Sequence, residues 1–171
     1  MATLHHNISG ELTQELLAPG ENVKVSKISL TNVQKVSKCK VDLYINRVAN
    51  EDYGKFYLLK GVELPIGATL IYDDIKFNNA VYGLYIKLTD GATFTLTGSI
   101  DPTASTTVTG VSTLFLSEVS IGDEILVSSE TRTVSAIASD TSLTVSVATT
   151  NTANDTTPDC NPTALVDVII N

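Results

Sequence analysis

The side chains of this 171-residue chain that could take part in catalysis or metal binding are few. Its two histidines, His5 and His6, are adjacent. Neighbouring residues on an extended segment point to opposite sides, so this pair is poorly placed to chelate one metal ion. Ser-His-Asp catalysis needs a histidine in a folded region, and no histidine follows residue 6. We interpret 1–9 as an extended arm or edge strand that is exposed or contacts a partner.

The carboxylates are the next candidates, because clustered acids can bind a cation or act as an acid–base pair. Asp73 and Asp74 could hold a cation together with Asp90 or Glu51. Their position at the end of a predicted strand favours a solvated turn instead. The same interpretation applies to three acids beside later strands and turns, which are Asp123, Glu124 and Asp140. A pair of carboxylates of the glycosidase type remains an alternative. However, only 6% of the residues are aromatic, which leaves few side chains to form a sugar-binding cleft.

The glycines and cysteines add no reactive motif. Gly54, Gly61 and Gly67 have the spacing of turn glycines rather than of a phosphate loop. Cys39 and Cys160 lie far apart, and neither has a CxxC or Cys/His neighbour. We interpret them as free thiols in a reducing compartment, with one disulfide as the alternative. The sequence therefore predicts no catalytic residue, no metal ligand, no cofactor and a protein that is not an enzyme.

Composition separates the chain into two halves. Residues 1–90 carry ten basic and ten acidic residues, whereas 91–171 carry nine acids and one base, Arg132, which gives the whole net charge of −8. An acidic half repels phosphate backbones, so we predict no nucleic-acid partner. No apolar run approaches the ~20 residues of a membrane span, and no signal peptide is visible. The 23 threonines and 43% hydrophobic residues favour strands over helices or disorder.

Alternation of apolar and polar residues with a period of two predicts an all-β protein. In the first half, Leu12, Leu16 and Leu17 suit a helical turn, and the predicted strands are 23–30, 39–47, 55–64, 68–72 and 81–88. In the acidic half, a helical turn is predicted at 114–119 and a flexible return segment at 151–157. Its predicted strands are 93–97, 106–109, 124–127, 131–138 and 142–147. A strong apolar strand, 165–170, ends the chain.

This order predicts an insertion. Residues 1–90 and 162–171 form an Ig-like or jelly-roll-like β-sandwich, and 92–158 form a small β-barrel domain inserted before its last strand. Lengthening a hairpin loop adds little closure free energy, so such an insertion is tolerated. Two consecutive domains are the alternative, which would leave 165–170 as an exposed apolar edge.

Outward-facing tyrosines are candidates for contact with other subunits, because tyrosine buries a large area at low entropic cost. With the two arm histidines, the candidate interface residues are His5, His6, Tyr44, Tyr53, Tyr57 and Tyr85.

Several segments together resemble structural proteins of tailed bacteriophages. The segments 28–32 (ISLTN), 41–45 (VDLYI), 56–70 (FYLLKGVELPIGATL) and 166–169 (VDVI) resemble a small β-sandwich of virion proteins. The segments 109–115 (TGVSTLF), 118–125 (EVSIGDEI), 130–134 (ETRTV) and 137–145 (IASDTSLTV) are similar to a β-module of phage structural and fibre proteins.

The resemblance implies a non-enzymatic virion subunit, assembled in the host cytoplasm, with other virion proteins as partners and self-association into a homo-oligomer. A head decoration protein on the capsid shell is favoured, with the neutral half on the shell and the acidic half projecting outward. A neck, tail, baseplate or fibre-associated protein is the first alternative, in which the arm would add a strand to a neighbour. The second alternative is a glycan-binding, adhesin-like module in 92–158, where only Phe94 and Phe115 are aromatic.

Overall fold

The computed structural model describes residues 3–48, 53–73 and 75–171. Nearly all of its regular structure is β, as predicted, and the sheets are antiparallel. None of the helices in these ranges is long and apolar enough to cross a membrane. The chain divides into two units: the first runs to Gln34, then through Lys38–Asp90 and Ala164–Asn171, and the second comprises Lys35–Ser37 and Gly91–Thr163.

The first unit contains two four-stranded sheets. The strands are β1 (Leu4–Ser9), β2 (Gln14–Leu17), β3 (Lys27–Asn32), β4 (Cys39–Asn46), β5 (Phe56–Leu64), β6 (Thr69–Asp73), β7 (Gly83–Thr89) and β15 (Leu165–Ile170). Sheet A has the strand order β1-β15-β3-β6, and sheet B has the order β2-β7-β4-β5.

One hydrophobic core is shared by both sheets. Sheet A contributes Ile28, Leu30 and Val166, and sheet B contributes Val41 and Leu84, all of them fully buried. The period-two alternation turns every second side chain of each strand toward this core. The first unit is therefore a β-sandwich.

The C-terminal strand lies inside sheet A. β15 pairs antiparallel with β1 on one side and with β3 on the other, and its Val166, Val168 and Ile170 point into the shared core. A strand hydrogen-bonded on both edges cannot be removed without leaving two rows of backbone groups unpaired. This strand is central to the first unit although it follows the second unit in sequence.

The predicted helical turn within residues 10–17 is wrong. β2 is a strand that pairs with β7, and a register shift between Glu15 and Leu17 marks a bulge. The bulge lets Leu16 and Leu17 both be buried, although a regular strand would turn one of them outward. Two adjacent buried leucines made the strand look helical in the sequence.

The second unit contains one short helix and seven strands. Its elements are β8 (Phe94–Thr95), β9 (Ser99–Asp101), β10 (Thr107–Val111), α1 (Phe115–Glu118), β11 (Glu124–Val127), β12 (Glu130–Ser139), β13 (Ser142–Val145) and β14 (Asp159–Asn161). The strands form one sheet in the order β8-β14-β11-β12-β13-β10-β9. The core of the unit centres on Phe115, Ile125 and Leu143, all fully buried.

Among the described residues no sheet closes into a barrel, so the barrel expected for 92–158 is instead an open sheet. The two edge strands, β8 and β9, have two and three residues, too few to complete a ladder that joins the edges. Two apolar residues of this unit, Leu114 and Ile121, lie outside its core and are 44% and 67% exposed.

The return segment expected to be flexible is held by side chains. Glu130 accepts hydrogen bonds from the backbone N–H groups of Thr150 (2.9 Å) and Asn151 (3.1 Å) and from the Thr150 hydroxyl. Asp155 accepts from the N–H of Ser128 (2.7 Å). The hydrogen bonds from Thr150 lower the pKa of Glu130. Such contacts between segments distant in sequence leave no periodic signal in the sequence.

Candidate functional site

The outer face of sheet A is a mixed apolar and polar surface. One cross-strand row runs through His5, Ile169, Ser29 and Ile71, on β1, β15, β3 and β6. Ile71 is 57% and Ile169 36% exposed. Cross-strand neighbours on one face lie side by side, so the two isoleucines share a surface with the His5 ring.

The next row of this face is polar and paired. The Asn7 amide donates to the Asp167 carboxylate (2.6 Å), and the hydroxyls of Thr31 and Thr69 are 2.9 Å apart. These hydroxyl and amide groups can exchange their water contacts for contacts with another protein. The face combines apolar area with polar groups, as protein interfaces do.

The side chains of the two arm histidines point to opposite faces of sheet A, as expected for adjacent residues of an extended segment. His5 is exposed on the outer face, whereas His6 is half-buried and lies on the core side, in the row of Val168 and Leu30. The His6 Nε2 is buried without a hydrogen-bond partner in the described part of the chain. Of this pair, His5 is the residue that a partner can reach from the outer face.

Tyr44 and Tyr85, two of the predicted interface residues, are buried and cannot act as contact residues. They are 2% and 1% exposed and give a partner no area. They form a row across sheet B, with ring centroids 5.5 Å apart for Tyr57 and Tyr44 and 5.8 Å apart for Tyr44 and Tyr85. Tyr57, at the end of this row, remains 41% exposed under the Lys60 ammonium, 3.8 Å from its ring centroid.

Gly83 explains why the Tyr85 ring is buried. A Cβ at this glycine would lie 2.7 Å from the Tyr85 hydroxyl oxygen and 2.8 Å from the Leu17 carbonyl oxygen. The ring therefore packs along the strand over Gly83, and its hydroxyl donates to the Glu15 carboxylate (3.0 Å). Burial, that hydrogen bond and the charge of Glu15 raise the pKa of Tyr85 to about 12.

A cavity of about 540 Å³ lies where β4 ends and β5 begins. Three aromatic side chains line it: Tyr53 (91% exposed), Phe56 (57% exposed) and Tyr82. The Phe56 and Tyr82 rings meet edge to face, with centroids 5.9 Å apart, and the Arg47 guanidinium lies 5.4 Å from the Tyr82 centroid. Tyr53 was among the residues predicted from the sequence, but the cavity was not, because its lining residues come together only through the register of the strands.

The interpretation of Asp123 as a solvated turn residue is wrong. Its side chain is completely buried in the second unit. One carboxylate oxygen accepts from the Ser120 N–H (2.8 Å) and the other from the Thr163 N–H (3.0 Å). The carboxylate thereby satisfies one backbone donor just before β11 and another at the last residue of the unit. Its role is structural.

The other acids are dispersed. Asp73 is exposed at the end of β6, whereas Asp74 and Glu51 lie outside the described residues. Asp90 accepts a hydrogen bond from the Ala164 N–H (2.6 Å). Burial and, to a smaller extent, the charge of Glu11 raise the pKa of Asp90, although the hydrogen bond from Ala164 lowers it. Within 3–48, 53–73 and 75–171 no three His, Cys, Asp or Glu residues are grouped to hold a metal ion.

Both cysteines are free and buried, which is the state the sequence favoured. Burial, followed by the charge of Asp90, raises the pKa of Cys39 to about 11. Burial, followed by the charge of Asp123, raises the pKa of Cys160 to about 12. Thiolates are the nucleophilic form, so neither thiol is poised for chemistry near neutral pH.

The raised pKa values of the two thiols predict that the protein loses stability at alkaline pH. Their folded pKa values lie above the ordinary 9.0, so their stabilising contribution is complete below pH 9 and declines as the pH rises from 9 toward 12. Each thiol then contributes a slope of at most about −1.4 kcal/mol per pH unit. Urea unfolding of Cys160→Ala between pH 8 and 11 should show a shallower decline than unfolding of the unchanged protein. Equal slopes would contradict the assignment.

No family model, curated protein or solved structure matches this chain.

Proposed function

We propose that this chain is a non-enzymatic structural subunit of a tailed-phage particle, and that it is a head decoration protein that binds the capsid shell. The sequence resemblance motivates the proposal, and the outer face of sheet A supports it most directly. That face presents Ile71 and Ile169 beside His5 on a sheet whose opposite side is the core of the unit. Exposed apolar side chains beside hydroxyl and amide groups, and beside the Asp167 carboxylate that accepts from Asn7, are suited to a protein partner.

The edges of sheet A add a second means of attachment. Among the residues that the structure describes, β1 and β6 are its outermost strands, so each has one edge that no other strand of the sheet covers. A strand from another subunit can add to such an edge through main-chain hydrogen bonds. This would join copies of the chain to each other, and we expect a homo-oligomer on the particle.

The charge distribution fits a position in an outer layer. The first unit carries nine basic and eleven acidic residues, a net charge of −2, so its contact with a shell carries little long-range penalty. The second unit carries two basic and eight acidic residues, a net charge of −6, and would keep decorated particles apart in solution.

The proposal is tested by mixing the full chain with phage particles assembled without it and sedimenting the mixture. We expect saturable co-sedimentation with isolated capsids and none with isolated tails. Binding to tails alone would move the subunit to the neck, tail or baseplate. Binding to neither would overturn the structural role.

The same assay tests the outer face of sheet A. Ile71→Arg places an unpaired charge in the apolar row of the proposed contact and should weaken co-sedimentation at least about tenfold. Ile66→Arg is the matched control, because Ile66 is similarly exposed (53%) but lies in the turn between β5 and β6. Equal binding by the two variants would exclude this face as the contact.

A further inference from the structure

The cavity at the end of sheet B has no role in attachment through sheet A, and its lining is that of a ligand site. Its volume, about 540 Å³, lies within the range of about 300–1,000 Å³ that small-molecule sites occupy. Such sites combine apolar walls with a few polar groups. Here the walls are aromatic and the polar groups include a guanidinium.

The aromatic rings of the cavity are accessible. Phe56 meets Tyr82 edge to face, at an interplanar angle of 88°, so this contact does not stack one ring on the other. Tyr53 is 91% exposed and brings a phenol to the same opening. The negative face of an aromatic ring attracts the weakly positive C–H groups of a ligand.

Arg47 is held in position at this opening. Its guanidinium lies over the Tyr82 ring, and its backbone N–H donates to the Asn46 side-chain oxygen (2.8 Å). Gly54, with φ +85°, passes close to that oxygen, where a Cβ would lie 3.4 Å away. A guanidinium provides several N–H donors in a fixed plane and accepts none, so it suits a ligand rich in oxygen acceptors.

We propose that this cavity binds a saccharide unit. A pyranose ring has a C–H face that stacks on aromatic rings and a rim of hydroxyl oxygens that accept hydrogen bonds. Both halves of that chemistry are present here, in Phe56 and Tyr53 and in Arg47. A purely aliphatic ligand would leave the guanidinium without an acceptor. The inference does not depend on the proposed structural role, and it places sugar binding in the first unit rather than in residues 92–158.

The test uses the full chain and saturation-transfer NMR with methyl glycosides of glucose, galactose, mannose, N-acetylglucosamine and N-acetylneuraminic acid. We expect transfer to the ring C–H protons of at least one of them. Tyr53→Ala and Phe56→Ala should weaken that binding at least about tenfold. Tyr57→Ala is the matched control, because it removes another exposed tyrosine of the same sheet that does not line the cavity.

Three results would overturn the proposal. The first is the absence of transfer to all five glycosides. The second is an unchanged affinity of Tyr53→Ala, measured by titrating the glycoside; the Tyr53 side chain is 91% exposed, so its loss removes no core packing. The third is an equal loss in Tyr57→Ala. The proton–nitrogen correlation spectrum of each variant shows whether the first unit is folded.

Discussion

Replacing Asp123 with alanine is expected to lower the free energy of unfolding of the second unit by about 3 to 5 kcal/mol. The substitution removes a buried charged acceptor from the N–H groups of Ser120 and Thr163. Hydrogen bonds to charged groups contribute about 1.5–3 kcal/mol each, and a buried donor left unsatisfied adds its desolvation cost. Amide hydrogen exchange in the second unit measures the loss, which should speed exchange of its slowest amides by at least about a hundredfold.

Asp101→Ala is the control for Asp123→Ala. Asp101 is an exposed acid of the same unit, on the edge strand β9, and its removal should change the stability by no more than about 0.5 kcal/mol. If the two variants exchange at the same rate, the Asp123 carboxylate is not the anchor that its geometry indicates.

Gly98→Ala is expected to be comparably damaging, at about 4 kcal/mol. Gly98 has φ +83°, a conformation that costs a residue with a Cβ about 1–3 kcal/mol. A Cβ there would also overlap the Val111 carbonyl oxygen and lie 2.7 Å from the Ser112 carbonyl carbon. Both neighbours are backbone, so they cannot rotate away, and overpacking adds about 1–3 kcal/mol. Thermal unfolding followed by circular dichroism measures the combined cost.

Gly122→Ala separates the two causes. Gly122 also has a positive φ, +96°, but no atom lies within 4 Å of the position its Cβ would take. Its substitution should therefore cost only the conformational part and leave the second unit clearly more stable than Gly98→Ala does. Equal melting temperatures for the two variants would show that the contact with Val111 and Ser112 carries no cost.

The sequence predicted strands well where alternation is regular. β4, β11 and β15 lie within a residue of their predicted bounds, because each turns alternate apolar residues toward a core. β9 and β14 went unrecognised because each is three residues long, which is too short for a period to be visible. Strand pairing, such as that of β14 with β8 and β11, depends on contacts distant in sequence.

The candidate site was harder to predict than the strands. Alternation correctly puts Tyr44 and Tyr85 on the side of sheet B away from the core, but it does not reveal that their rings are covered there. The space over Gly83 and the hydrogen bond to Glu15 decide that burial, and both depend on strand register. The aromatic cavity depends on register too, because Phe56 and Tyr82 are 26 positions apart in sequence.

Electron cryomicroscopy of phage particles assembled with and without this chain is the most direct test of the proposed decoration role. The difference map should contain added β-rich density on the outside of the capsid shell, repeated with the symmetry of the shell. Within that density, the face that carries Ile71 and Ile169 should meet the capsid. Added density confined to the tail or neck, or identical maps for the two preparations, would contradict it.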